Sequence, residues 1–162
     1  MPNFFITSKG VDYTIKHGTY ERNEPIIFEV KNTYIPFGVT KYKKKKYISI
    51  NINSFTIINK IEELEKFIMD YNRVNVNKIK SNIKKSIFSS SVTKNDFGYT
   101  MKLTYDENPF EDQNGNELDE NAIANIYGIS HIKLDKIWMF NKKIGFKWNL
   151  ICFIKDSSFK LN

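Results

Sequence analysis

Two runs of alternating apolar residues near the C-terminus constrain the fold more than anything else in the chain. Ile132, Leu134, Trp138 and Phe140 alternate up to Asn141-Lys142-Lys143, and Ile144, Phe146, Trp148, Leu150, Cys152 and Ile154 alternate away from it. Period two on both sides of a short polar break predicts a long antiparallel hairpin with one buried face. Another strand is predicted over residues 97–105, where Phe97, Tyr99, Met101, Leu103 and Tyr105 share a face. The two tryptophans follow the apolar parity of their strands, which makes them core rings. The alternative keeps Trp138, next to Lys136, at the mouth of a cleft.

Upstream, residues 26–30 form a short apolar run, and residues 34–42 read as a strand interrupted by Pro36 and Gly38. In residues 47–52, Ile48, Ile50 and Ile52 alternate with Ser49 and Asn51. From Ile57 the spacing changes to Ile57, Ile61, Leu64, Ile68 and Tyr71, with Phe67 on the flank, which predicts a helix over about residues 60–72. Asn59 and Glu62 stand as its capping pair. Ile79, Ile83 and Ile87 recur every four residues among Lys78, Lys80, Lys84 and Lys85, so a second, basic amphipathic helix is predicted. Its lysines are either a second phosphate contact or the wet side of a packed helix. Ser89, Ser90 and Ser91 break the pattern.

The order is therefore strands, one or two helices, then strands. It predicts a mainly β, α+β chain, an OB-like, partly open antiparallel β-barrel ending in a C-terminal hairpin. A chain of 162 residues, 41% hydrophobic and 15% aromatic, suits one domain over residues 1–162. Cys152 is the single cysteine, so no intramolecular disulfide forms, which suits a reducing, intracellular compartment. No apolar run approaches the roughly 20 residues that span a bilayer.

Function is most visible in residues 34–50, YIPFGVTKYKKKKYISI. Lys41, Lys43, Lys44, Lys45 and Lys46 are set among Tyr34, Phe37, Tyr42 and Tyr47. Ammonium groups that meet phosphates and rings that stack on unpaired bases are what a single-stranded nucleic acid requires. A lysine-rich hairpin loop that protects a sheet edge is the plainer alternative. Lys136, Lys142, Lys143 and Lys147 add charge along the C-terminal hairpin. With 23 lysines and only Arg22 and Arg73, the chain is poorly equipped for bidentate reading of guanine and well equipped for phosphates of any sequence.

Residues 106–120, DENPFEDQNGNELDE, hold seven of the 18 acids and no lysine or arginine. Without them the formal net charge rises from +7 to +14, a balance that attracts polyanions. Asn114-Gly115 and Pro109 mark a loop, either solvated or folded over the basic groove as a competitor. It is not an EF-hand loop, because Gly115 is fourth, not sixth, counting from Asp112.

The blocks YIPFGVTKY at residues 34–42 and GISHIKLDKIWMFNKKIGFKWNLICFI at residues 128–154 resemble the single-stranded-DNA-binding proteins of large nucleocytoplasmic DNA viruses. The resemblance implies an OB-fold replication accessory that coats unwound strands in host cytoplasm or viral factory and meets replication proteins. It carries over to Phe37, Gly38, Trp138 and Trp148. The chain departs from phage-type replicative binders in ending DSSFKLN, with Asp156 its only acid after Asp135, which puts recruitment through an acidic tail in doubt.

Catalytic signatures are absent from the sequence. His17 and His131 stand far apart without metal-spaced neighbours, and no phosphate-binding glycine loop or nucleophile elbow occurs. Asp106, Glu107 and Lys102 are the one set from which a metal-dependent nuclease could be assembled. The expectation is a non-enzymatic protein without cofactor or metal that binds single-stranded DNA, with RNA left open, during replication, recombination or repair. The nucleic-acid-binding candidates are Tyr34, Phe37, Lys41, Tyr42, Lys43, Lys44, Lys45, Lys46, Tyr47, Lys136, Trp138, Lys142, Lys143 and Lys147. A virion structural or adaptor protein, using the aromatic hairpin as a protein interface, is the alternative.

Overall fold

The computed structural model describes residues 3–9, 12–19, 22–24, 26–75, 87–96, 98–140 and 143–156, with side chains described for 26–69, 88–96, 98–136 and 143–156. The strands are β1 (Asn3–Lys9), β2 (Asp12–Thr19), β3 (Arg22–Glu24), β4 (Ile27–Ile35), β5 (Thr40–Tyr42), β6 (Lys45–Ile52), β7 (Ile87–Ser89), β8 (Val92–Asn95), β9 (Gly98–Tyr105), β10 (Phe110–Glu111), β11 (Ile126–Phe140) and β12 (Lys143–Lys155). The helix α1 (Phe55–Asn75) separates β6 from β7. The chain is mainly β, as expected, with one α-helix among the described residues. The second helix read from Ile79 and Ile83 lies outside them, and Ile87 opens β7 instead.

Five strands close on one another. β4 pairs with β11, β11 with β12, β12 with β9, β9 with β6, and β6 again with β4. Taken in chain order, these members run first, second, third, fifth and fourth around the ring, and only the β9–β12 neighbours are parallel. This is the partly open Greek-key barrel of the OB type. Two of its seams are a single residue pair each, Tyr34 with Asn51 and Thr104 with Asn149. Near the second seam, β8 extends β9 while β7 lies beside β12. At the other side β2 adds to β11 through Lys136–Trp138, carrying β1 and β3 with it; no strand was expected before residue 26.

The inward parity of each ring strand builds the core. Ile48, Ile50 and Ile52 of β6 face inward with Met101, Leu103 and Tyr105 of β9 and Ile132 and Leu134 of β11, all buried. Each such side chain fully removed from water contributes about 1.5–3 kcal/mol. The C-terminal hairpin forms as expected, in register from Gly128 with Lys155 to Phe140 with Lys143. Two bulges interrupt it. One falls between His131 and Ile132, where Ile151 has no opposite number; Ile151 is 44% exposed and Phe153 is fully buried. The simple alternation through Cys152 and Ile154 therefore fails, because one extra residue moves later side chains to the other face. The second bulge falls at Asp135, so the parity that joined Trp138 to Leu134 does not carry through; Trp138 is described in its backbone only, opposite Gly145.

Helix α1 begins five residues earlier than the expected Lys60. Ser54 caps it, its Oγ accepting from the Ile57 N–H at 3.4 Å and its carbonyl from the Ile58 N–H. The Asn59–Glu62 arrangement therefore lies within the helix. The buried stripe is Ile58, Ile61, Glu65, Ile68 and Met69; Ile61 and Ile68 are buried as read from the sequence, while Ile58 and Glu65 take the places read for Ile57 and Leu64, which puts a carboxyl inside it.

Gly128 occupies a position that only glycine fits. A Cβ there would lie 2.3 Å from the Ile154 carbonyl oxygen and 2.6 Å from Phe153 Cζ. Gly128→Ala must push β12 away from β11 or displace a fully buried ring. The expected loss is about 1–3 kcal/mol of unfolding free energy, or more, in a urea titration; an unchanged midpoint would mean that the strands do not approach so closely.

Candidate nucleic-acid interface

The outward parity of β6 and β9 builds a face different in kind from the core. Lys45, Tyr47 and Ser49 alternate with Lys46, Ile48 and Ile50, and Thr100, Lys102 and Thr104 alternate with Met101 and Leu103. These outward side chains line a cleft of about 580 Å³, together with Ser89, Ser90, Ser91 and Thr93 from the β7–β8 segment, Lys136 of β11, and Phe146, Lys147 and Trp148 of β12. The lining holds four lysines, many hydroxyls and no carboxylate. Lys147 has its pKa pulled below the ordinary lysine range by burial and then by Lys136, with Lys45 adding to it, while Asp135 at 3.8 Å opposes them. Crowded ammonium groups of this sort favour an anion between them.

The lysine run is a tight hairpin, the plainer of the two sequence readings. Thr40 pairs with Tyr47, Lys41 with Lys46 and Tyr42 with Lys45, leaving Lys43 and Lys44 in the turn, Lys43 at φ 51°. Pairing divides the lysines between two faces. Lys45 joins the cleft. Lys41 and Lys46 are directly opposed like charges, which destabilise a strand pair, and Glu120 sits against them. Its carboxylate accepts from Lys46 Nζ at 2.9 and 3.1 Å and from the Tyr105 hydroxyl at 3.0 Å, with Lys41 Nζ at 3.9 Å. The hydrogen bond from Lys46 is the main cause that holds Glu120 below the usual carboxylate range. Burial first, and then Glu120, raise the Tyr105 hydroxyl well above the usual phenol range.

The acidic segment thus reaches the basic run through Glu120, on the inward side of β6, and Asp106 acts on Lys147, though no residue of the segment lines the cleft. Elsewhere it folds on itself: Asp112 Oδ1 accepts from the N–H groups of Asn114 and Asn116 at 2.8 and 2.9 Å, around Gly115 at φ 82°.

The expected rings separate in the same way. Phe37 and Tyr42 are 64% and 63% exposed, with Lys43 Nζ 5.5 Å from the Tyr42 centroid. The Tyr47 ring lines the cleft beneath Lys102 Nζ, 4.5 Å from its centroid. Tyr34 is turned elsewhere, stacked on Tyr127 at 4.6 Å with its hydroxyl donating to Asn125 Oδ1. Trp148 is a core ring, 1% exposed and stacked on Phe28 at 5.8 Å. Lys143 is exposed at the start of β12, and Lys142 lies outside the described residues. Lys102 and the hydroxyl residues were missed, although the parity of residues 97–105 already set Thr100, Lys102 and Thr104 opposite the apolar face.

Other polar groups do not assemble a reactive centre among the described residues. Asp106 and Glu107 are exposed after β9, Lys102 lies over Tyr47, and among the described residues no group of three or more His, Cys, Asp or Glu could hold a metal ion. His131 Nε2 meets Glu29 at 3.2 Å across β11 and β4. Cys152 donates to Glu111 at 3.4 Å, and burial, with Glu111, pushes its thiol up to about 11, so it stays protonated. No described helix is long and apolar enough to cross a membrane.

No protein-family model matches the chain, and no curated protein matches its sequence. Its fold is similar to solved structures of bacteriophage proteins. One is a C-terminally truncated single-stranded DNA-binding protein of bacteriophage Enc34, 11% identical over 98% of both chains with a TM-score of 0.56. Another is gp2.5, a single-stranded DNA-binding protein encoded by bacteriophage T7, 11% identical over 86% of this chain and 91% of that one, with a TM-score of 0.58. The Enc34 protein in complex with single-stranded DNA gives 13% identity, 94% coverage of each chain and a TM-score of 0.50. The likeness supports a fold of the single-stranded-DNA-binding type and is to phage proteins, not to those of large nucleocytoplasmic viruses.

Proposed function

We propose that the protein binds single-stranded DNA without sequence preference through the cleft on β6, β9 and β12, protecting unwound strands, and performs no chemistry. The observation that carries this reading is the cleft lining itself, four lysines and many hydroxyls with no acid. β6 and β9 are the second and third strands of the ring, and that face of an OB barrel is where oligonucleotides lie. The connection between β4 and β6, which carries Phe37 and Tyr42, corresponds to the first of the two loops that flank such a groove. The bacteriophage proteins of similar fold are described as single-stranded DNA-binding, which agrees with the same reading.

Lys45, Lys102, Lys136 and Lys147 neutralise phosphates in the cleft, while Lys43, Lys44, Lys142, Lys143 and Trp138 stay as candidates. Phe37 and Tyr42 stack on bases. Lys41, Lys46 and Tyr34 leave the binding set, because Glu120, Tyr127 and Asn125 already hold them. The adaptor alternative loses one of its rings, since Trp148 is committed to the chain's own core.

Phe37→Ala and Tyr42→Ala test the stacking half of the proposal. Each is expected to weaken binding of a dT oligonucleotide by about 1–3 kcal/mol in fluorescence anisotropy, with the salt dependence unchanged. Small, equal losses at these and at unrelated exposed positions would refute a defined path for the strand.

A further inference from the structure

Two roles with opposite consequences are open to Glu120, the acid set against the lysine run. A competitor occupies ammonium groups that nucleic acid would otherwise take, so its removal raises affinity. A strut fixes the loop whose rings meet the bases, so its removal lowers affinity. The lysines that Glu120 holds, Lys41 and Lys46, do not line the cleft, so a competitor there blocks nothing along the path of the strand.

The residues that follow Glu120 grip the loop over residues 34–46 along its length. The Asn125 N–H donates to the Ile35 carbonyl at 2.7 Å, and the Asn125 side-chain oxygen accepts from the Tyr34 hydroxyl. The Ile123 carbonyl lies so near Gly38 that a Cβ there would be 3.3 Å from it. At the far end Glu120 accepts from Lys46 Nζ at 2.9 Å with Lys41 Nζ at 3.9 Å, which offsets the repulsion of two lysines paired across β5 and β6. Phe37 and Tyr42, both exposed, lie between these points.

The gripping segment is itself anchored. Glu120 also accepts from the hydroxyl of Tyr105, a buried ring of β9, and the Ile123 side chain is buried in the core. Asp119 caps the single 3-10 turn Glu120–Ala122, its carboxylate accepting from the Asn121 N–H at 3.0 Å. The loop is thus tied to the barrel wall through Glu120, on the side of β6 opposite the cleft.

We propose that Glu120 is a positioning residue for the bound strand, holding the loop over residues 34–46 so that Phe37 and Tyr42 are already set when bases arrive. This rests on the single-strand reading above, and it makes an acid a contributor to the affinity for a polyanion. A ring that must be ordered at the moment of binding costs about two- to tenfold in affinity, and fixing it beforehand removes that cost.

The test titrates full-length protein with a labelled dT oligonucleotide at two salt concentrations. Glu120→Ala is expected to weaken binding by about fivefold or more, although it makes the protein more basic. The salt slope is not reduced, because no phosphate contact is lost. In a Phe37→Ala/Tyr42→Ala background the same substitution is expected to cost no affinity, since no ring is left to position. A general weakening of the fold lowers affinity in both backgrounds. Glu120→Gln keeps an acceptor for Lys46 and Tyr105 while removing the charge; it is expected to lose about twofold, and it carries the test where Glu120→Ala folds poorly. Affinity unchanged or raised in every variant that folds would overturn the strut, and so would a loss that persists undiminished without the two rings. Absence of dT binding by the wild-type protein would overturn the parent reading with it.

Discussion

Replacing Lys45, Lys102, Lys136 and Lys147 together with alanine is expected to abolish most of the affinity for single strands at low salt and little of it at high salt. Each phosphate neutralised on a single strand contributes about 0.7 to the slope of log K against log salt, so four contacts account for a slope of about 2.8. Referred to 1 M salt, that is a loss on the order of several hundredfold at 0.1 M. All four side chains line one cleft, drawn from four different strands of the ring, β6, β9, β11 and β12. The matched control is Lys31, Lys60, Lys66 and Lys94, which remove the same formal charge away from the lining. If charge alone attracts the DNA, both quadruple variants lose affinity and slope equally. If the cleft is the path, the control retains most of the slope. Circular dichroism and a urea midpoint check that both variants remain folded.

The second large effect is on stability and comes from Glu65. This carboxyl is fully buried in the apolar stripe of α1, where its oxygens meet the Ser91 N–H at 3.1 Å and the Ser91 hydroxyl at 2.8 Å. Burial pushes it up to about 7, against the Ser91 hydrogen bonds, which lower it; Glu62 on the same helix adds a smaller upward push. A protonated Glu65 donates to Ser91 Oγ, and that hydroxyl can then donate to the Phe146 carbonyl, 3.3 Å away. The folded state therefore holds this proton more tightly than the unfolded chain, whose carboxyl titrates near 4.5. Its stabilising contribution is full below about pH 4.5 and is lost as pH rises through about 7. The wild-type protein is expected to lose on the order of 3 kcal/mol between pH 5 and pH 8 in urea titrations. Glu65→Gln, which keeps an acceptor for the N–H and a donor for the hydroxyl, is expected to flatten that decline and be the more stable protein at pH 8. A decline of equal size in both proteins would place the titrating group elsewhere.

The fold was legible where burial repeats in sequence with a fixed period. Ile48, Ile50 and Ile52, the face of Met101, Leu103 and Tyr105, and the hairpin about residues 141–142 all announce their strands, because one face of each is packed against the core. Bulges are not legible in this way. Asp135 and Ile151 each insert one residue, and nothing in their chemistry distinguishes them from neighbours in register. The helix stripe was read correctly at Ile61 and Ile68 and one position off at Ile57 and Leu64, which are only partly buried; the spacing of Ile58, Ile61 and Ile68 already left Glu65 on their side.

The site was half legible for a related reason. A block of lysines between tyrosines stands out in one dimension, yet strand pairing sends Lys41 and Lys46 to Glu120 and only Lys45 to the cleft. The hydroxyls of the lining come from four segments, Ser49, Ser89 to Ser91, Thr93, and Thr100 with Thr104, and serine or threonine in a strand carries no signal of its own. They share one surface only once β9 and β12 meet. Lys102 was the recoverable omission, since the alternation that buries Met101 and Leu103 turns it outward.

Single-strand binding in the cleft is tested most directly by titrating the full-length protein against labelled dT oligonucleotide and against a matched duplex, each at two salt concentrations. The expected result is tighter binding of the single strand, weakening steeply with salt, because unpaired bases alone can meet Phe37 and Tyr42 while the backbone lies along the lysines. Equal affinity for the duplex at both salt concentrations, or no binding of dT at moderate salt, would contradict it.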